Sequence, residues 1–122
     1  MKLLIVDDNA GVRRLIRSIV LPLADDVREC ADGAEALAGY MLQHPDVVLM
    51  DIEMKEVDGI EATRQITAAD REAKVLIVTD YDDEELRQAS VRAGACGYVL
   101  KQNLTDLVRL LEAMRQSTGG TE

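Results

Sequence analysis

The sequence predicts an α/β protein with a doubly wound parallel sheet, and three observations lead to this fold class. Short apolar runs alternate with segments of helical periodicity along the whole chain. The strongest runs, LLIV, VVLM and VLIV, are continuous rather than alternating, which indicates strands buried on both faces of a parallel sheet. The 122 residues suffice for one domain. Right-handed crossovers would then place helices on both sides of the sheet.

Five strands follow from these runs and from two weaker ones. The segment VREC is less apolar than the others, so we expect it near an edge of the sheet. The segment YVL supplies the last strand. The predicted strands occupy residues 3–6, 27–30, 47–50, 75–78 and 98–100.

A helix is predicted after each strand, because apolar residues recur three and four positions apart. Asn9 and Asn103 precede the first and last of these helices and are expected to cap them, and Gly94 is a natural C-terminal cap. The pair Asp32-Gly33 marks a turn before the second helix. The predicted helices occupy residues 12–20, 34–43, 60–69, 83–93 and 104–114.

The composition excludes several classes of protein. Apolar residues make up 48% and charged residues 30% of the chain, which is typical of a folded domain. The net charge of −9, from 14 basic and 23 acidic residues, argues against direct nucleic-acid binding. No apolar run approaches the ~18 residues of a membrane span, and no signal peptide is evident, so we expect a cytoplasmic protein without membrane association. We expect one domain over residues 1–116 and a disordered polar tail over 117–122.

Polar residues of particular kinds follow four of the predicted strands. Asp7 and Asp8 follow the first strand, and Asp51 follows the third. Thr79 follows the fourth strand, and Lys101 follows the fifth. Because the carboxyl ends of parallel strands lie along one edge, where such sheets bind ligands, these side chains should converge. Carboxylates ~4 Å apart repel each other by about 4 kcal/mol per pair at an effective dielectric near 20.

A hard divalent cation would offset this repulsion. Mg²⁺ prefers oxygen ligands and often accepts a phosphoryl oxygen, and Lys101 adds positive charge for a dianionic phosphoryl group. Thr79 can donate a hydrogen bond to that group. Asp51 stands alone after a central strand and is the best candidate for a nucleophile, whereas Asp7 and Asp8 form a pair suited to the metal. These residues therefore predict a Mg²⁺-dependent phosphoryl site.

The segments that carry these residues resemble the receiver domain of two-component response regulators. Their order and spacing agree over about residues 2–115. The resemblance implies a flavodoxin-like fold with strand order 2-1-3-4-5 and the function of a phosphorylation-dependent signalling switch. The matching segments are LLIVDDN (3–9), VVLMDIEM (47–54), DGIEATRQI (58–66), KVLIVTDYDDEEL (74–86) and GACGYVLK (94–101).

The resemblance also implies how the acidic residues act. Asp51 would accept a phosphoryl group from a phosphohistidine of a sensor kinase or phosphotransfer protein, with Mg²⁺ as cofactor. Asp8 and Asp51 would bind the metal directly. Asp7 would bind it through water and Glu53 through its main-chain carbonyl.

Three further residues have roles implied by the resemblance. Lys101 would contact the phosphoryl group. Thr79 and Tyr98 would be a switch pair: Thr79 moves to the phosphoryl oxygen and Tyr98 turns into the space behind it. The surface over residues 83–114 would then change its preference for a downstream protein, which the sequence does not identify.

The sequence departs from the common pattern of the family at several positions. Lys55 and Gln102 stand where many receivers have proline, and Asp80 stands where a small residue is common. These changes remove no required group and bear on reaction rates. In receivers, the positions of Glu53 and Tyr81 tune the lifetime of the phosphoryl group.

Two other interpretations stay open. A Mg²⁺-dependent phosphatase with an aspartyl-phosphate intermediate would also carry an acid after its first strand. That class typically needs Asp-x-Asp and a capping segment, whereas this chain has adjacent Asp7 and Asp8. A degenerate receiver would never be phosphorylated. We therefore expect a switch whose only catalysis is its own phosphorylation and dephosphorylation, acting as a stand-alone receiver, with a phosphorylation-linked homodimer left open.

Overall fold

Over residues 1–119, the computed structural model forms one sheet of five strands. The strands are β1 (Lys2–Val6), β2 (Asp26–Cys30), β3 (Val47–Met50), β4 (Val75–Thr79) and β5 (Gly97–Leu100). Their order in the sheet is β2-β1-β3-β4-β5, and every neighbouring pair is parallel. This confirms the predicted doubly wound α/β fold, and β2 lies at an edge as its weaker apolar pattern predicts.

A helix follows each strand. The helices are α1 (Ala10–Val20), α2 (Ala36–Gln43), α3 (Gly59–Ala69), α4 (Glu84–Ala93) and α5 (Leu104–Gly119). The structure describes residues 1–119, with side chains through residue 116. The disordered tail expected over residues 117–122 therefore lies outside the fully described part of the chain. Within the described residues, every helix is too short or too polar to cross a membrane.

Two apolar cores cover the two faces of the sheet. Leu3 and Ile5 of β1 belong to the core that also contains Ile16 of α1 and Leu107 of α5. Leu4, which points to the opposite face, belongs to the core formed with α2 and α3. Successive residues of a strand point to opposite faces, so a strand with a core on each side must be apolar at every position. This is the physical reason for the continuous apolar runs.

Of the three helix caps expected from the sequence, those at Asn9 and Gly94 are confirmed and the one at Asn103 is not. The Asn9 side chain accepts the N–H of Val12 at 3.0 Å, as an N-cap does. Gly94 adopts φ = 104° after α4, in the left-handed region that glycine tolerates. Asn103 does not act as the expected cap of α5. It belongs to a 3-10 turn that leads directly into the helix, and its side chain bonds two side chains of the first turn instead.

The alignment of the strands brings their carboxyl ends to one edge of the sheet. Asp51 donates its N–H to the carbonyl of Val6 at 2.9 Å, which sets Asp51 beside Asp7. Thr79 is aligned with the last residue of β5, so Lys101 emerges next to the end of β4.

Candidate functional site

A cavity of about 180 Å³ opens at the carboxyl edge of the sheet. This is the edge at which parallel α/β sheets bind ligands. The acids and the lysine predicted from the strand ends converge in its wall, although they come from three different strand–helix connections. The lining residues are Asp7, Asp8, Asn9, Val12, Asp51, Glu53, Asp80, Tyr81 and Lys101.

Lys101 bridges two of the carboxylates. Its Nζ lies 2.8 Å from Oδ2 of Asp7 and 3.2 Å from Oδ1 of Asp51. The other oxygen of Asp7 accepts the N–H of Asn9 at 2.9 Å. One carboxylate oxygen from each of Asp7, Asp8 and Asp51 lies within 4.8 Å of the other two. Asp7 and Asp51 are buried and Asp8 is exposed, so the acidic cluster opens to solvent at Asp8.

Burial and like charge alter the acid–base behaviour of this cluster. Burial, followed by the negative charge of Asp7, raises the pKa of Asp51 to about 6, against the opposing influence of Lys101. Burial works against the charged form of Lys101, yet its hydrogen bonds and charge interactions with Asp7 and Asp51 hold its pKa above the ordinary value. Lys101 is therefore protonated at neutral pH. Two of the three acids of the cluster contact this one ammonium, so the acids outnumber the cation.

The donor set of the cavity fits a hard divalent cation. Asp7, Asp8 and Asp51 offer carboxylate oxygens within reach of one another, and one side of the cluster is open to water. Oxygen donors with room for water suit Mg²⁺, whereas softer metals favour histidine and cysteine, which do not line this cavity. These three aspartates are the residues that can hold such an ion.

The predicted switch residues lie behind the cavity rather than in its wall. Thr79 is fully buried at the end of β4, and its hydroxyl accepts the N–H of Tyr81 at 3.2 Å. The hydroxyl of Tyr98 donates to the main-chain carbonyl of Tyr81 at 2.6 Å. Tyr81 thus connects Thr79 and Tyr98 through its backbone. Cζ of Arg87 lies 4.3 Å from the centre of the Tyr98 ring, which links this group to α4 through a cation–π contact.

Tyr81 also forms one side of the cavity mouth. Its hydroxyl donates to Oε1 of Glu53 at 2.7 Å, and this bond to a carboxylate raises the pKa of Tyr81. Glu53 lies in the loop after β3, and Tyr81 lies in the loop after β4. The hydrogen bond therefore joins the two loops beside Asp51.

Two contacts that support the site were not predicted from the sequence. Nη1 of Arg13 donates to the main-chain carbonyl of Asp7 at 2.7 Å, and Nε of Arg13 pairs with Glu29 at 3.0 Å. Asp32 accepts backbone N–H groups from the loop that follows Asp51. In the sequence, Arg13 is one of several polar residues of a predicted helix, and Asp32 belongs to a predicted turn. Neither pattern indicates a contact with a distant part of the chain.

Comparison with known proteins identifies the family. The family profile described as response regulator receiver domain matches residues 3–115. The chain is 39% identical to the chemotaxis protein CheY of Halobacterium salinarum over 100 residues, which are 82% of this chain and 83% of CheY. It is 34% identical over 122 residues to YxjL of Bacillus subtilis, an uncharacterised transcriptional regulatory protein, covering 98% of this chain and 55% of YxjL. The chain thus spans about half the length of that relative.

A solved structure extends the likeness to three dimensions. The response regulator protein TrrA of Thermotoga maritima, in complex with Mg(2+)-BeF, has a TM-score of 0.83 and 27% identity, covering 93% of this chain and 97% of that chain. The profile covers nearly the whole chain, and Asp7, Asp8, Asp51 and Lys101 lie close together at the edge of the sheet. On this sequence and structural evidence, the chain belongs to the response regulator receiver domain family.

Proposed function

We propose that this receiver domain is a phosphorylation-dependent signalling switch in which Asp51 accepts the phosphoryl group. The observation that carries the proposal is the 3.2 Å contact between Lys101 Nζ and Asp51 Oδ1, in a cavity that also contains Asp7 and Asp8. A nucleophilic carboxylate, a cation-binding pair and an ammonium for the phosphoryl oxygens are then within reach of one another. Positioning and charge neutralisation are what phosphoryl transfer chiefly requires.

The donor would be a phosphohistidine of a sensor kinase or of a phosphotransfer protein. A carboxylate oxygen of Asp51 attacks the phosphorus, and a new O–P bond forms as the P–N bond to the donor imidazole breaks. The imidazole nitrogen leaves with the bonding electron pair and takes up a proton from solvent. Lys101 pairs with an oxygen of the transferred group and so replaces part of its present contact with Asp51.

Bound Mg²⁺ would neutralise both the phosphoryl oxygens and the acidic side chains around them. We propose that Asp7, Asp8, Asp51 and the main-chain carbonyl of Glu53 hold the ion. The oxygen donors and the excess negative charge of the cluster support this assignment. The complex of the similar protein TrrA with Mg(2+)-BeF supports it as well.

The switch would act through the backbone of Tyr81. If Thr79 moves toward the phosphoryl group, its hydroxyl leaves the N–H of Tyr81 that it now accepts. The carbonyl of the same residue holds the hydroxyl of Tyr98, whose ring contacts Arg87 of α4. A shift at Thr79 would therefore reach the surface over residues 83–114 and change its preference for a protein partner. Phosphorylation would shift populations between conformers that already exist.

We propose that the partners of this domain are proteins and that it acts in the cytoplasm. The net charge of −9 disfavours direct contact with nucleic acid. Sedimentation with and without a phosphodonor tests whether a second copy of the chain is one of the phosphorylation-linked partners.

Incubation with Mg²⁺ and phosphoramidate, followed by intact-protein mass spectrometry, tests the acceptor role. We expect the wild type to gain the mass of one phosphoryl group and Asp51→Asn to gain none. A wild type that gains no mass would indicate a degenerate receiver. If Asp51→Asn gains the same mass, the acceptor is a residue other than Asp51.

Turnover of p-nitrophenyl phosphate separates the switch from the phosphatase alternative. A switch should release little p-nitrophenol under multiple-turnover conditions. Sustained turnover that survives Asp51→Asn would support an enzyme in place of the switch.

A further inference from the structure

The buried carboxylate of Asp32 accepts four backbone N–H groups near the carboxyl edge of the sheet. Oδ1 of Asp32 accepts the N–H of Ala34 at 2.9 Å and that of Val57 at 3.1 Å. Oδ2 accepts the N–H of Lys55 and that of Glu56, each at 3.0 Å. Asp32 is 8% exposed. Only the Ala34 bond is a local cap, so the other three bonds use a side chain from the turn before α2 to hold a distant loop.

The loop that Asp32 holds is the loop that follows Asp51. It leaves β3 at residue 51 and reaches α3 at Gly59, and it carries Glu53 in the cavity wall. The N–H of Gly59 donates to the carbonyl of Ile52 at 2.8 Å and closes the loop at its base. Asp32 binds the backbone of residues 55–57, which lie between Glu53 and Gly59.

The turn at Gly33 lies in close contact with the loop that follows Asp51. A Cβ placed on Gly33 would lie 2.2 Å from the carbonyl oxygen of Val57. Backbone at that distance leaves no room for a side chain, so glycine at position 33 permits the approach. Gly33 and Asp32 thus act on the same contact: Gly33 leaves space for the loop, and Asp32 accepts its N–H groups.

The electrostatics of Asp32 suit this task. Its hydrogen bonds, with that of Ala34 the largest influence, hold the pKa of the carboxyl below its ordinary value despite burial. A carboxylate that accepts several backbone N–H groups is a strong acceptor, since charge-assisted bonds exceed neutral ones. Residue 55 is lysine and so has an N–H to donate, which a proline at this position would lack.

We propose that Asp32 is a positioning residue for the metal site: it fixes the backbone of the loop after Asp51 so that Glu53 presents its carbonyl at the cavity. This inference rests on the proposed function, because it assigns Asp32 a role in Mg²⁺ binding. Asp32 itself lines no part of the cavity and would act only through the loop.

Two measurements on the metal-free and metal-bound protein test this proposal. In the wild type without metal, the amides of Lys55, Glu56 and Val57 should be protected from hydrogen exchange, as bonded amides are. Asp32→Asn should speed their exchange by about tenfold or more, since the amide offers the loop one neutral acceptor and a group that donates. The same variant should weaken Mg²⁺ binding by about tenfold in calorimetry, the range found when supporting groups of metal sites are lost.

Asp58→Asn is the matched control, because Asp58 caps α3 at the far end of the same loop by accepting the N–H of Glu61 at 2.8 Å. It should change stability while leaving the Mg²⁺ dissociation constant within about twofold. Gly33→Ala is an independent second variant, which should push the loop away with Asp32 intact and weaken Mg²⁺ binding in the same direction.

The outcomes separate this inference from the proposed function. A wild type that binds no Mg²⁺ overturns the proposed function. The exchange of the three loop amides would then still test whether Asp32 holds the loop. Wild-type binding with an unchanged dissociation constant in Asp32→Asn overturns the inference alone. Rapid exchange of the three amides in the wild type overturns it without any variant, even where Asp32→Asn fails to fold.

Discussion

Tyr81 donates a 2.7 Å hydrogen bond to Glu53 and so joins the loops on two sides of the cavity that contains Asp51. Both residues line that cavity, and both are exposed. We expect this bond to restrict the approach of water to Asp51, because it holds the two side chains against each other at the cavity that contains Asp51.

Tyr81→Phe should shorten the lifetime of the phosphoryl group. The variant keeps the ring and loses the bond, which is worth about 1 kcal/mol, so hydrolysis should accelerate by about three- to tenfold. Release of phosphate after removal of the donor measures this rate. Glu53→Gln keeps an acceptor for Tyr81 and should retain a lifetime closer to that of the wild type. Equal lifetimes in Tyr81→Phe and the wild type would mean that water enters elsewhere.

Asp51→Asn should stabilise the protein when no metal is present. The change removes one charge from a cluster of three acids, of which two contact the ammonium of Lys101, a gain on the order of 1 kcal/mol. Mg²⁺ at 100 times its dissociation constant should stabilise the wild type by about 2.7 kcal/mol and the variant by less. Thermal melts with and without Mg²⁺ measure both effects, and Glu72→Gln serves as an exposed-charge control. Equal metal shifts in Asp51→Asn and the wild type would count against Asp51 as a ligand.

The stability of the metal-free protein should depend on pH through Asp51. Its pKa is raised from 3.8 to about 6 on folding, so the folded protein keeps this proton to a higher pH than the unfolded chain. The contribution of Asp51 to the free energy of unfolding is therefore fully present below the lower value and is lost as pH rises through the higher one. The advantage of Asp51→Asn over the wild type should grow across this window and stay level above it. Denaturant titrations at a series of pH values measure the difference, and a constant difference would contradict the raised pKa.

Asp80→Asn should speed phosphorylation by a small anionic donor. Asp80 adds an exposed negative charge to the cavity wall and repels phosphoramidate as it approaches. We expect an increase of about two- to fivefold at low ionic strength, shrinking as salt screens charges over distances of about 10 Å. Time courses followed by mass spectrometry give the rates. Asp82→Asn, which changes an exposed acid outside the cavity wall, should have little effect, and a salt-independent increase in Asp80→Asn would point to steric relief instead.

Thr79→Ala should separate metal binding from the response of the distal surface. The hydroxyl of Thr79 contacts Tyr81 rather than the acidic cluster, so Mg²⁺ affinity should stay within about twofold. The change in the amide resonances of Tyr98 and of α4 on phosphorylation should be reduced. Thr79→Ser keeps a hydroxyl and should restore most of that response. If Thr79→Ala shows the full change in these amide resonances, Thr79 takes no part in the switch.

The sequence by itself determined the layers of the fold and the location of the site. Continuous apolar runs require burial on both faces, and a parallel sheet is the arrangement that supplies it. Once the strands are parallel, a polar residue that directly follows a strand lies at the carboxyl edge of the sheet, independently of the path of the loops. Asp7, Asp51 and Lys101 could therefore be predicted to meet from their places in the chain, and they do.

Only the tertiary structure decided which groups support that site. Asp32 and Lys55 lie 23 residues apart, and Glu53 and Tyr81 lie 28 apart. No periodicity reports such pairs, because each contact depends on how two loops approach after the sheet has formed. The expected cap at Asn103 was wrong for the same reason: the path of the chain from β5 continues as a 3-10 turn into α5, so the backbone at that residue is already helical. Local patterns determine elements, whereas contacts between loops depend on the packing of the whole domain.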